Sequence, residues 1–202
     1  TLFDLDRGTI VEHAALGNEI GREVAAGLRA EVPSVVFGWE LELRFGSEPA
    51  YEALRTPSWW PRPEGSFPPC ELQAWELPFT KLLARAELDV LDEAFAVAER
   101  LAAGRASVTL TGQAFVELMG PGVSKQSALA RHAARLGVAR QDVVAFGDHL
   151  ADAGMLEWAG HGVAMANGEA ETLAAADEVA PSNDEDGVAV TLERLLSGAG
   201  RP

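Results

Sequence analysis

The stretch Val143-Val144-Ala145-Phe146-Gly147-Asp148-His149-Leu150-Ala151-Asp152-Ala153-Gly154-Met155-Leu156 decides the fold. Four consecutive apolar residues read as a strand buried on both faces, the signature of a parallel sheet. A glycine and an aspartate follow at once, and a short helix is expected over about 152–158. Downstream, Gly162 to Met165 reads as a strand, 169–175 as a helix, Glu178 to Ala180 as a strand and 186–196 as a final helix. Strands alternating with helices imply parallel βαβ units and a doubly wound sheet. Upstream, Ser124 is placed to cap a helix reaching about Leu136, with Leu129, Ala133 and Leu136 on one face. The breaker cluster Gly120-Pro121-Gly122 marks a domain boundary.

Residues 1–119 have a different texture. Two β-prone runs, 2–5 and 9–12, flank Asp6-Arg7-Gly8 and predict a hairpin. Ile20, Val24 and Leu28 recur every four residues, which predicts a helix from Asn18 to about Ala30, closed by Pro33. Val35 to Phe37 predicts a strand, and the alternation of Leu41, Leu43 and Phe45 predicts another. A proline-rich loop over 57–69 carries Trp59 and Trp60, a pair that is either packed or lines a pocket. Strands are expected around Phe79 to Leu83, Val108 to Leu110 and Phe115 to Leu118, with a helix over 89–103. The expected whole is α/β: an α+β domain at 1–119 and a parallel sheet with helices at 120–202.

Composition narrows the function. The 202 residues include 16 basic and 31 acidic side chains, a formal net charge of −15. Such a balance argues against nucleic acid or an anionic membrane surface as partner, because both demand concentrated Lys and Arg. Cys70 is the single cysteine, so neither an internal disulfide nor a cysteine-based zinc site is expected, and a cytoplasmic setting follows as the default. No run of 18 apolar residues occurs. Motifs of serine hydrolases, phosphate-loop NTPases and dinucleotide binders are absent, and His13, His132, His149 and His161 share no metal-like spacing.

Ligands of open parallel sheets bind outside the carboxyl ends of the strands. Asp148 and Asp152 stand at such an end, behind a glycine that permits close approach. Two carboxylates there suit a hard cation such as Mg²⁺. They equally suit loop amides (Asp148) and a helix cap (Asp152). Lys125 lies in the first turn of a helix, where the macrodipole disfavours a cation, so it either answers an anion or is a solvated surface lysine. His149 is either a ligand contact or a solvated loop histidine.

Taken in order, Gly122-Val123-Ser124-Lys125, the 143–156 stretch, Gly162-Val163-Ala164-Met165-Ala166-Asn167-Gly168 and Asn183-Asp184-Glu185-Asp186-Gly187-Val188 resemble the C-terminal part of a haloacid-dehalogenase-superfamily phosphatase. The kind it is similar to is the Cof-like one with a large α/β cap (subfamily IIB). The resemblance is dense over 120–196 and looser over 1–118. It implies a HAD Rossmann-like core half at 120–202, a cap at 1–119, and Mg-dependent hydrolysis of a small phosphorylated metabolite such as a sugar phosphate. It also implies roles. Lys125 is the catalytic, phosphate-binding lysine. Asp148 is a metal ligand, and Asp152 holds the metal shell or orients Lys125. Asn183 and His149 are substrate-side candidates.

Two departures from the family pattern stand out. Ala151 occupies a position where the family carries Asn, and alanine cannot hydrogen-bond phosphate. The nucleophile motif Asp-x-Asp-Gly-Thr has only an interrupted counterpart, Asp4-Leu5-Asp6-Arg7-Gly8-Thr9, in which Arg7 separates the second aspartate from glycine. Reading 1–12 as the cap's opening hairpin predicts that the nucleophile strand and second motif lie upstream of Thr1. On that expectation the 202-residue chain alone is inactive, and its exposed sheet edge favours a homodimer, aggregation or low thermal stability. A non-catalytic phosphometabolite-binding protein of the same fold is the alternative function.

Overall fold

The computed structural model describes residues 1–54, 63–111 and 115–198. The chain divides into two compact units, Thr1–Val123 and Ser124–Pro202.

In the first unit, β1 (Leu2–Asp4) and β2 (Thr9–Glu12) form the antiparallel hairpin that the sequence predicts. A helix, α1 (Asn18–Glu31), buries Gly21, Val24, Ala25 and Leu28 along one stripe, the spacing that made it legible. Next come β3 (Val36–Leu41), β4 (Arg44–Ser47), the short α2 (Pro49–Ala53) and β5 (Lys81–Arg85). The unit closes with α3 (Leu91–Ala102), β6 (Ser107–Thr111) and β7 (Phe115–Met119). Five strands form an antiparallel sheet in the order β4-β3-β5-β7-β6. Val24, Ala25 and Leu28 of α1 and Ala94 and Ala98 of α3 share one core with Phe37, Trp39, Leu82 and Val116 of the sheet.

The alternation of Leu41, Leu43 and Phe45 turns out to run through a hairpin and not along one strand. Leu41 ends β3, Arg44 begins β4 opposite it, and Glu42-Leu43 make a two-residue turn with Leu43 mostly exposed. Glu42 takes φ +57°, the left-handed value that the first centre of such a turn requires. Its N–H donates to Thr80 Oγ1 at 2.6 Å, which helps hold a conformation unfavourable for a residue with a Cβ. The strand expected at Val35 to Phe37 therefore extends through Gly38-Trp39-Glu40 to Leu41. Trp59 and Trp60 lie outside the described residues.

The second unit is the βαβ array. It contains α4 (Lys125–Leu136), β8 (Val144–Gly147), α5 (Ala153–Trp158), β9 (His161–Met165), α6 (Ala170–Ala174), β10 (Glu178–Ala180) and α7 (Gly187–Leu196). The strands are parallel in the order β10-β9-β8. Ala145 and Ala164 pack with Leu156 and Ala159 on one face, while Phe146, Val163, Met165 and Ala180 cluster on the other.

Two expectations need correction here. Val144 is 41% exposed, so β8 is not buried on both faces. Among the described residues it pairs with β9 alone, and the cluster on the Phe146 side does not extend to Val144. Leu136 is likewise exposed, because the cluster that takes in Leu129 does not extend to the last turn of α4, and Gly137 at φ +68° ends the helix there. No helix among the described residues is long and apolar enough to cross a membrane.

Candidate functional site

Because β8, β9 and β10 are parallel, the segments that follow them leave from the same edge of the sheet. Asp148 to Asp152 follow β8, Ala166 to Glu169 follow β9, and Pro181 to Asp186 follow β10. That edge is where an open parallel sheet binds ligands.

Lys125 arrives from α4. Ser124 and Ser127 form a reciprocal cap: Ser124 Oγ accepts from Ser127 N at 3.0 Å, and Ser124 N donates to Ser127 Oγ at 3.0 Å. These bonds satisfy N–H groups that a helix start leaves open and fix where Lys125 begins. The Lys125 ammonium donates to Asp152 Oδ1 at 2.5 Å. Asp152 is buried, whereas Lys125 is half exposed. The other oxygen of Asp152, Oδ2, accepts from the backbone N–H groups of Asp148 and His149, both at 3.2 Å.

Asp152 thus uses both oxygens to hold partners in place. Burial on its own would push its carboxyl up, but the Lys125 ammonium and the two N–H groups outweigh it and hold Asp152 below the usual aspartate value. This arrangement fits the orienting role for Asp152 better than direct coordination of a metal.

Asp148, by contrast, presents its carboxylate 43% exposed, with His149 Nε2 at 3.8 Å. No group of three or more His, Cys, Asp or Glu side chains gathers as a metal cage among the described residues. Mg²⁺ does not need one: it retains several waters and binds through one or two carboxylates plus substrate phosphate oxygens. The hard, half-exposed oxygens of Asp148 fit that mode. His149 Nδ1 pairs with Glu169 Oε1 at 3.2 Å, and the bond to Glu169, followed by the charge of Asp148, raises the histidine above its ordinary value.

Close backbone approach makes the arrangement possible. A Cβ on Gly147 would stand 2.4 Å from Asp152 Cβ and 2.9 Å from its Cγ. Gly147→Ala is therefore expected to push Asp152 away from Lys125 and to lower stability by roughly 1–3 kcal/mol, the usual cost of overpacking. Urea denaturation checks this, and an alanine variant as stable as wild type would show that the loop yields freely.

The sequence-derived candidates do not all converge. Lys125, Asp148, His149 and Asp152 form one connected group. Asn183 belongs to a different set of bonds: its N–H donates to Asn167 Oδ1 at 3.0 Å, and its side-chain amide to Asp184 Oδ1 at 3.3 Å. Glu169 was not anticipated. It lies twenty residues beyond His149 on a short helix start, and no local spacing signals the pair. Asp4 and Asp6 belong to the first unit, where Asp4 Oδ1 accepts from Arg7 N at 2.9 Å within the β1–β2 hairpin.

Comparison with known proteins supplies the context. The family described as haloacid dehalogenase-like hydrolase matches residues 71–192. The 5-amino-6-(5-phospho-D-ribitylamino)uracil phosphatase YwtE of Bacillus subtilis is 39% identical over 90 residues, covering 45% of this chain and 32% of that protein. The chain thus matches about a third of that relative's length. Among solved structures, a haloacid dehalogenase-like hydrolase from Bacteroides thetaiotaomicron superposes with a TM-score of 0.71 at 24% identity, covering 96% of this chain and 72% of that one. A HAD subclass IIB sugar phosphatase gives a TM-score of 0.69 at 17% identity over 90% of this chain and 68% of its own. At these identities the structures speak to fold alone.

Proposed function

Because the chain belongs to the haloacid dehalogenase-like hydrolase family, we propose that its Lys125–Asp148–Asp152 site serves Mg²⁺-dependent hydrolysis of a phosphomonoester on a small metabolite. The observation that carries this reading is the 2.5 Å bond from Lys125 to a buried Asp152 beside the half-exposed carboxylate of Asp148. A lysine held by a buried carboxylate keeps its remaining N–H donors aimed at one place, where they neutralise charge on phosphoryl oxygens as it develops. Asp148 offers its carboxylate to the cation. When bound, Mg²⁺ supplies further positive charge to the same oxygens. The two loop amides held by Asp152 fix the backbone from which the Asp148 side chain leaves. The first unit is assigned as the family's cap domain, and Asp4 and Asp6 are assigned no part in the chemistry. A sugar phosphate or a phosphorylated cofactor is the substrate class, and the relatives' names, a sugar phosphatase and a 5-amino-6-(5-phospho-D-ribitylamino)uracil phosphatase, support a small phosphorylated metabolite.

One residue favours a second reading. Ala151 places a methyl group between Leu150 and Asp152, with nothing to donate to phosphate. A phosphometabolite-binding protein without turnover would tolerate it.

The test of the first reading is Asp148→Asn, which keeps an oxygen but removes the charge. Measured in a longer form of the protein that also carries a nucleophile strand, activity toward a generic phosphomonoester should lose most of its Mg²⁺ dependence while circular dichroism stays that of a folded protein. Unchanged activity with an unchanged Mg²⁺ titration would remove Asp148 from the cation site. Binding of a phosphometabolite without measurable turnover in that longer form would favour the second reading.

A further inference from the structure

The segment after Gly147 is gripped by two residues. Asp152 takes the N–H groups of Asp148 and His149. Glu169, in turn, makes one bond to each of three successive residues. Its own N–H donates to Asp148 O at 2.8 Å, its Oε1 lies 3.2 Å from His149 Nδ1, and its Oε2 accepts from Leu150 N at 2.5 Å. The backbone before it runs equally close: a Cβ on Gly168 would stand 3.2 Å from Asp148 O and 3.3 Å from Asp148 Cα. The Leu150 N–H bonds to Glu169 Oε2, and the His149 ring meets Glu169 Oε1 through Nδ1 while its Nε2 lies 3.8 Å from Asp148 Oδ2. Glu169 therefore supplies what Asp152 leaves open.

We infer that Glu169 is a positioning residue for the cation site, holding the Asp148–Leu150 loop in the conformation that presents the Asp148 carboxylate. The inference rests on the reading of Asp148 as the cation ligand. Both carboxylate oxygens of Glu169 are taken up by the loop, one by the His149 ring and one by the Leu150 N–H, so it acts through Asp148. A loop fixed before the cation arrives loses less conformational freedom on binding than one that must be ordered by it. Partners that orient a metal-binding side chain in this way are worth about 10–100-fold in metal affinity. His149 serves as the second pin: its ring ties the loop to the side chain that also takes Leu150 N–H.

Mn²⁺ is the probe, with its free concentration read by electron paramagnetic resonance, on the full chain and without any activity assay. Four proteins are compared: wild type, Asp148→Asn, Glu169→Ala and Glu169→Gln. Glutamine keeps an oxygen that accepts the Leu150 N–H but carries no charge. Asp148→Asn should lose binding, Glu169→Ala should weaken it about 10–100-fold, and Glu169→Gln should stay nearer wild type than the alanine variant. Hydrogen exchange at the Leu150 amide should quicken in Glu169→Ala and much less in Glu169→Gln. If Asp148→Asn loses binding while Glu169→Ala binds as wild type, the positioning role is overturned and the Asp148 reading stands. If glutamine weakens binding as much as alanine, Glu169 acts by charge and the positioning role is again overturned. If Asp148→Asn binds Mn²⁺ as wild type does, the reading of Asp148 falls and takes the inference with it.

Discussion

In a longer form of the protein that carries a nucleophile strand, Lys125→Ala is expected to lower turnover of a phosphomonoester by about 10²–10³, the loss seen when one donor that stabilises transition-state charge is removed. The effect should fall on kcat more than on KM, because the ammonium matters most when charge develops on the phosphoryl oxygens. Lys125 is the single cation bonded to the buried Asp152 among the described residues. A loss of tenfold or less would return Lys125 to the status of a surface lysine that happens to meet a carboxylate.

Asp152→Ala carries the second large effect, and it touches activity and stability together. The change frees the Lys125 ammonium and leaves the amides of Asp148 and His149 without the oxygen they share. Turnover should fall at least as far as in Lys125→Ala. The Lys125→Ala/Asp152→Ala double variant should be little worse than the poorer single one, since the two side chains act as a unit. Unfolding free energy should drop by roughly 1–3 kcal/mol for orphaned amides, at the lower end because the loop is partly wet.

The pH dependence of that drop has a definite sign. The folded-state value of Asp152 lies below its ordinary 3.8, so its ionised form contributes stability that is fully present above the ordinary value. The contribution is lost as pH falls from 3.8 through the lower folded-state value. The stability gap between wild type and Asp152→Asn should therefore hold constant near neutrality and shrink in acid. A gap that widens in acid would contradict the bonding assigned to Asp152.

The sequence showed the second unit's architecture because its cues are local. An apolar run followed by Gly147-Asp148 marks a parallel strand, and Ser124 followed by an apolar stripe marks the start of α4. The places of Lys125, Asp148 and Asp152 at strand and helix ends were legible for the same reason, whereas the roles expected of them came from the family resemblance. The misreadings arose where tertiary context overrides pattern. Leu41, Leu43 and Phe45 alternate as a strand would, yet Glu42 adopts a left-handed turn whose amide is held by Thr80, 38 residues away. Val144 and Leu136 match buried patterns, but burial depends on which elements cover a face, and periodicity does not report that. Glu169 escaped notice because it reaches the Asp148 loop only through the fold, once β8 and β9 stand side by side.

The central claim is that Lys125 and Asp148 together form a phosphoryl site that depends on a divalent cation. Phosphorus NMR of inorganic phosphate with this chain and sub-stoichiometric Mn²⁺ tests it without requiring turnover. Bound phosphate next to bound Mn²⁺ broadens the resonance, and excess Mg²⁺ should reverse the broadening. The account predicts broadening with wild type and its loss in both Lys125→Ala and Asp148→Asn. Broadening of equal strength in wild type and in both variants would contradict it.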